Sequence, residues 1–142
     1  MKKILVLCTG NSCRSQIAHG LLNYYTNETI EIYSAGIEAH AVNPKAVETL
    51  AEIGVNISNH SSNLIDDYIH ISFDYIITVC DNAAAKCPLF PKGKASKIHK
   101  SFSDPSKQIG DEETIRKAFR KIREEINVFC KNFISENLSN QS

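Results

Sequence analysis

Ile4-Leu5-Val6-Leu7 runs without a break into Cys8-Thr9-Gly10-Asn11-Ser12-Cys13-Arg14-Ser15, and from about Ser15 apolar residues recur at helical spacing. The first four residues are apolar on both faces, which predicts a central parallel strand covered from both sides. Ser15 is expected to cap the helix, which buries Ile17, Leu21 and Tyr24 or Tyr25 and ends near Thr26-Asn27. Between strand and helix lies a turn of small residues, whose successive backbone N–H groups can point inward while the positive end of the helix adds to them. That is a cradle for an oxyanion. The planar fork of Arg14 can hold two of the anion's oxygens, and its fixed charge favours the thiolate of Cys8. The stretch predicts an activated sulfur nucleophile facing a tetrahedral anion.

Further along, Ile30-Glu31-Ile32-Tyr33-Ser34-Ala35 alternates at period two before Gly36 and completes a first βαβ unit. Asn43-Pro44 starts a second helix with Ala46, Val47, Leu50 and Ile53 on one face and Gly54 as its stop. From Val55 to Ser72 the pattern is weak and gives a short strand or helix at most. Phe73-Asp74-Tyr75-Ile76-Ile77-Thr78-Val79 is β-branched and aromatic, a third buried strand ending at Cys80. Ligands of open parallel sheets bind at the carboxyl ends of strands, so Cys80 falls on the same edge as Cys8. A loop of about twenty residues with Pro88, Pro91 and Gly93 follows, a length associated with function, and residues 95–98 form a short edge strand within it. Asp111 caps the last helix, where Ile115, Phe119, Ile122, Ile126, Phe129 and Phe133 make one apolar face. Its opposite face, with Arg116, Lys117, Arg120, Lys121 and Arg123 among glutamates, reads as solvated. We expect an α/β fold, a three-layer sandwich with a four-stranded parallel sheet flanked by helices, as a single catalytic domain over residues 1–134 with a polar tail over 135–142.

Composition limits the function classes. The chain has 142 residues, 42% of them hydrophobic, and 16 basic side chains balance 16 acidic ones. A neutral chain lacks the bulk attraction for nucleic acid or anionic membranes. The four apolar residues after Lys3 are too few for a signal-peptide core or a membrane span, so a cytoplasmic protein is expected; a monomer is the expectation for its assembly. The cysteines at 8, 13, 80, 87 and 130 are odd in number, which argues against a disulfide framework and leaves catalysis, redox cycling or metal binding. No two of them have the close spacing that zinc favours, and no metal site is expected.

Three further features carry chemistry or its absence. Cys80-Asp81-Asn82-Ala83-Ala84-Ala85-Lys86-Cys87-Pro88 holds two cysteines seven positions apart. They can share one face of a two-turn helix or meet once it unwinds, because a regular helix separates such positions by roughly 10 Å and a disulfide needs Cα atoms within about 7 Å. Asp104-Pro105 taken alone is a turn initiator. Cys13 and Cys130 read as packing residues, and His19, His40, His60, His70 and His99 are scattered, as suits solvated or locally hydrogen-bonded histidines.

A cysteine, five residues, an arginine and a serine near the start of the chain resemble the low-molecular-weight protein tyrosine phosphatase superfamily, which includes thioredoxin-coupled arsenate reductases. The resemblance covers nearly the whole chain. It implies that Cys8 is the nucleophile, that Thr9, Gly10, Asn11, Ser12, Cys13, Arg14 and Ser15 bind the substrate anion, and that Asn11 and Ser15 steady the loop and hydrogen-bond the sulfur. It implies that Asp104 is the general acid on an Asp-Pro loop. The reductases also carry a cysteine pair with the spacing of Cys80 and Cys87, while phosphatases often place tyrosines where Ser106-Lys107 stand. Both differences favour the reductase. The implied reaction converts arsenate to arsenite through a Cys8 adduct and a Cys8, Cys80, Cys87 disulfide relay, with reduced thioredoxin as electron donor and no bound cofactor. The alternative is a phosphatase that hydrolyses a phosphocysteine. Some relatives bind potassium with an asparagine, a serine and two acidic groups; the matching Asn11, Ser34, His19 and Asn63 lack both acids, which implies no such site.

Overall fold

The computed structural model describes residues 2–88 and 95–138. Pro91, Gly93 and the end of the expected tail, residues 139–142, lie outside the described residues. Strand β1 (Lys2–Cys8) leads to helix α1 (Arg14–Tyr25), β2 (Ile30–Gly36), α2 (Pro44–Ala51), β3 (Tyr75–Thr78), α3 (Asp81–Ala85), β4 (Ser96–His99) and α4 (Glu112–Asn137). The strands form a parallel sheet in the order β2-β1-β3-β4. This is the expected three-layer α/β sandwich with four parallel strands.

β1 is central because its sequence has no polar face to give to water. Ile4, Leu5, Val6 and Leu7 are each 0% exposed. Ile4 and Val6 join the core under α1 and α4, while Leu5 and Leu7 join the smaller core with Phe73, Ile76, Cys80 and Ala83. Burying such side chains contributes about 1.5–3 kcal/mol each, so one strand nails both layers together. The alternation also fixes direction. Register pairs Cys8 with Gly36 and Leu7 with Thr78, so the loops after β1, β2 and β3 open on one sheet edge.

Several local expectations shift. α1 begins at Arg14 with Cys13, not Ser15, at the cap position, and no side chain caps it. The Ser15 hydroxyl is engaged by Asn11 instead, which leaves the first N–H groups of the helix unclaimed by a cap. β3 is shorter than Phe73–Val79, since only Tyr75–Thr78 keeps ladder pairing. The weak 55–72 region holds a single 3-10 turn at Ile65–Tyr68. The expected long loop after Cys80 contains α3. α4 continues to Asn137 and Leu138 is buried, so the last helix passes the expected tail boundary at 134.

The arginine face of α4 is more than solvated. Arg120 and Arg123 both donate to Glu52, and Arg123 also reaches the Thr49 carbonyl, tying α4 to α2. Cys130 is 0% exposed beneath α1, in accord with packing. Among the described residues no helix is long and apolar enough to cross a membrane.

Candidate active site

Residues 8–14 wrap around a cavity of about 250 Å³ lined by Cys8, Thr9, Gly10, Ser12, Cys13, Arg14, His40, Asp104, Ser106 and Lys107. The path of that loop is set by its carbonyls. Cys8 O accepts from Ile37 N at 3.3 Å, Thr9 O from Glu38 N at 2.8 Å and Gly10 O from His40 N at 2.9 Å. Asn11 O accepts from Ser62 Oγ at 2.7 Å and Gln16 Nε2 at 3.2 Å. Ser12 O takes Asn43 N, and Cys13 O takes Ile17 N. Each carbonyl from Cys8 to Cys13 is thus held by the surrounding elements. With no cis bond, each following N–H points the opposite way from its held carbonyl, and the loop's donors turn toward its centre.

Two backbone features allow that tight path. Asn11 sits at φ 51°, a left-handed conformation that asparagine tolerates. Gly36 lies where the loop backbone passes closest to β2; a Cβ there would stand 2.7 Å from Thr9 O and 2.8 Å from Asn11 N. Behind the loop, Asn11 Nδ2 donates to Ser15 Oγ at 2.7 Å and Asn11 Oδ1 accepts from Asn63 N at 2.9 Å. Asn11 and Ser15 are fully buried and do not line the cavity. Of the residues assigned to anion binding, these two stand behind the wall and brace it.

Cys8 is 3% exposed. A hydrogen bond from the Cys80 thiol, then the Arg14 charge and the N–H groups of Ser15 and Gly10, hold its thiol well below the usual range against the opposing effect of burial. The same contact, with burial, pushes Cys80 up. One proton shared unequally between two sulfurs gives a thiolate at Cys8 and a thiol donor at Cys80. It is the backbone N–H of Ser15 that faces the sulfur. Cys13, which burial pushes up to about 12, is no competing nucleophile.

Arg14 donates Nη1 to Phe102 O at 3.0 Å, and its Nη2 lies 3.7 Å from Asp104 Oδ2. Its Nε is, among the described residues, the one buried side-chain nitrogen or oxygen with no hydrogen-bond partner. Such a donor is costly unless a ligand takes it. Asp104 caps the 3-10 turn Pro105–Lys107 through Oδ1, which accepts from Ser106 N and Oγ. The turn and the site residue are the same feature, because the cap fixes one carboxylate oxygen and leaves the other beside Arg14.

Cys80 lies outside the cavity wall, 4% exposed, with Sγ 3.3 Å from Thr9 Oγ1. Asn82 Nδ2 donates to that same hydroxyl at 3.2 Å. Cys87 follows the end of α3, half-buried, its Sγ against Pro88 O at 3.6 Å. All five cysteines are free thiols; Cys80 pairs with Cys8, and Cys87 packs against the small core that holds Cys80. Sequence pattern had no signal for His40 and Lys107 in the cavity wall, which arrive from two separate connections.

The positions matched to a cation site do not suit one. His19 Nδ1 pairs with Ser34 Oγ at 2.7 Å, and its ring packs 4.4 Å from that of His60. Burial, helped by His60, pulls His19 down to about 3. A neutral imidazole pair offers a hard cation no carboxylate. A larger groove of about 780 Å³ between β4 and α4 has no cysteine, serine, threonine or histidine in its described lining.

Comparison with known proteins agrees with this geometry. An arsenate reductase of Halalkalibacterium halodurans is 45% identical over 132 residues, 93% of this chain and 94% of that protein. An arsenate reductase of Bacillus subtilis is 44% identical over the same span. A solved arsenate reductase in its oxidized state superposes with a TM-score of 0.78 at 27% identity, covering 96% of this chain and 98% of that one. The family model for low molecular weight phosphotyrosine protein phosphatase matches residues 3–142, and the chain belongs to that family.

Proposed function

We propose that this protein is a thioredoxin-coupled arsenate reductase. The observation that carries the proposal is the place of Cys80 against the anion loop, its Sγ 3.3 Å from Thr9 Oγ1 and its thiol paired with Cys8, because hydrolysis of a thiol adduct needs no second sulfur there. Its curated relatives named arsenate reductases support the same reading.

Arsenate enters the cavity against the loop N–H groups and the Arg14 edge. Cys8 thiolate attacks arsenic, and Asp104 supplies the proton with which an arsenate oxygen leaves as water. The Cys8–arsenic adduct carries no thiolate, so the main cause that raised Cys80 is gone. Cys80 then loses its proton and attacks the Cys8 sulfur. The sulfur–arsenic bond breaks with its electron pair going to arsenic, which leaves as arsenite, and a Cys8–Cys80 disulfide remains. Cys87 thiolate attacks Cys80, releasing Cys8 as a thiolate and moving the disulfide to 80–87. A dithiol of thioredoxin reduces that bond and is itself oxidised. The order is built in, since Cys80 is a poor nucleophile until Cys8 is capped.

The test is NADPH oxidation on adding arsenate to the chain with thioredoxin and thioredoxin reductase. Steady, arsenate-dependent turnover that disappears without thioredoxin is expected. Release of phosphate from phosphotyrosine with no arsenate turnover would identify a phosphatase, the alternative that this anion loop also fits.

A further inference from the structure

The Asn11–Ser12 peptide is the one link of the anion loop whose carbonyl is held by side chains alone. Neighbouring carbonyls are taken by the backbone of the segment after β2 or of α1. Asn11 O relies on Gln16 Nε2 and Ser62 Oγ. Gln16 is 0% exposed, and every polar atom of its amide is used. Nε2 also donates to Ser61 O at 3.1 Å, and Oε1 faces His60 Nδ1 at 3.0 Å. Carbonyl oxygens only accept, so two of them on one side fix the amide nitrogen there and oblige His60 Nδ1 to be the donor to Oε1. The Ser61 and Asn11 carbonyls thereby set which way the Gln16 amide faces, and His60 completes its set of partners.

We infer that Gln16, anchored by the Ser61 carbonyl and His60 and assisted by Ser62, is a positioning residue that keeps the Asn11 carbonyl turned out and the Ser12 N–H turned into the anion cavity. The geometry leaves little choice about the outcome of a slip. At φ 51° Asn11 is in a region where most residues are strained, and rotation of its peptide plane exchanges C=O for N–H. A carbonyl oxygen would then face the bound anion, removing a donor and adding a repulsive dipole. Ser12 lines the cavity and Asn11 does not, as expected for a plane pinned in this sense. The inference rests on reading the loop as an oxyanion cradle, and concerns what keeps the cradle formed.

Inorganic phosphate is the probe, followed by backbone amide resonances and by calorimetry on the full chain. In the wild type the Ser12 amide is expected to shift on phosphate addition. Gln16→Met should weaken phosphate about tenfold, the effect of losing one hydrogen bond that supports a charged ligand, and should blunt the Ser12 response while that of Gly10 persists. Adding Ser62→Ala should weaken binding further, because it removes the second donor to the Asn11 carbonyl. A folded double variant that binds phosphate within about twofold of wild type, with an unchanged Ser12 amide, overturns the inference. If Gln16→Met does not fold, Ser62→Ala alone decides: a displaced Ser12 amide supports the inference and an unmoved one overturns it. Failure of the wild type to bind phosphate at all would remove the cradle itself, a separate result.

Discussion

The segments that carry Cys8 and Cys87 are built in opposite ways. Around Cys8 each carbonyl from 8 to 13 has a partner, and the residues behind the loop, Asn11, Ser15 and Gln16, are fully buried. Among the described residues before Cys87 the ties are fewer: α3 spans Asp81–Ala85, Ala83 is its buried residue, Asn82 donates to Thr9 Oγ1 at 3.2 Å, and exposed Asp81 meets His99 across 2.9 Å. A site that recognises a small anion needs donors fixed to a fraction of an ångström. In the proposed relay the Cys87 segment must deliver a sulfur to a second partner, which calls for few contacts to break. Cys80 stands at the junction, buried against the rigid loop and preceding the loosely held helix.

The largest expected effects break this division at the sulfurs. Cys80→Ser should lower thioredoxin-dependent arsenate turnover by about a thousandfold or more, since the serine hydroxyl cannot form the disulfide, while phosphate binding stays near wild type. Retained turnover in that variant would remove the relay. Gly36→Ala attacks the rigid half instead. The added Cβ meets Glu38 O first and then Thr9 O and Asn11 N of the loop, so phosphate should bind about tenfold or more weakly by calorimetry, with a stability loss of about 1–3 kcal/mol in urea melts.

A third expectation sharpens how the halves communicate. The thiol of Cys8 is lowered first of all by the Cys80 hydrogen bond, so Cys8 should be alkylated at acid pH where ordinary thiols are inert. Thiolate is the form above the pKa; removing the donor in Cys80→Ala should therefore move the alkylation midpoint upward by about one pH unit. An unmoved midpoint would mean that Arg14 and the loop amides suffice.

How far these halves could be read from the sequence differs for the same physical reason. β1 and α4 were legible because apolar periodicity reports burial directly, and the anion loop because small residues and an arginine after a strand have few other uses. That Cys80 and Cys8 share one sheet edge followed from the rule that ligands bind at the carboxyl ends of parallel strands, while the order β2-β1-β3-β4 took the structure to reveal. What pattern did not supply was long-range and polar. Ser15 looks like a cap, but Asn11 takes its hydroxyl and Cys13 fills the cap position. His40 and Ser62 reach the site from distant connections, and Gln16, though in the first turn of α1, acts through an amide whose partners leave no periodic trace. Asp104 showed its turn chemistry in sequence, while its place beside Arg14 took the fold to reveal.

The smallest expected effect lies away from the thiols and serves as a control. Hydrogen bonds from Arg120 and Arg123 hold Glu52 down to about 2. A carboxylate held low stabilises the fold above its unfolded value, and that contribution fades as pH falls toward 2. Glu52→Gln should lower Tm at neutral pH by about 2 °C, less in high salt, with no effect on phosphate affinity.

The relay is tested most directly in a single turnover of reduced Cys87→Ser with arsenate and no thioredoxin, read by peptide mapping of disulfides and by arsenite release. A Cys8–Cys80 disulfide formed in step with one arsenite per chain is the predicted result. Free thiols at both positions and no arsenite after the same exposure would contradict it.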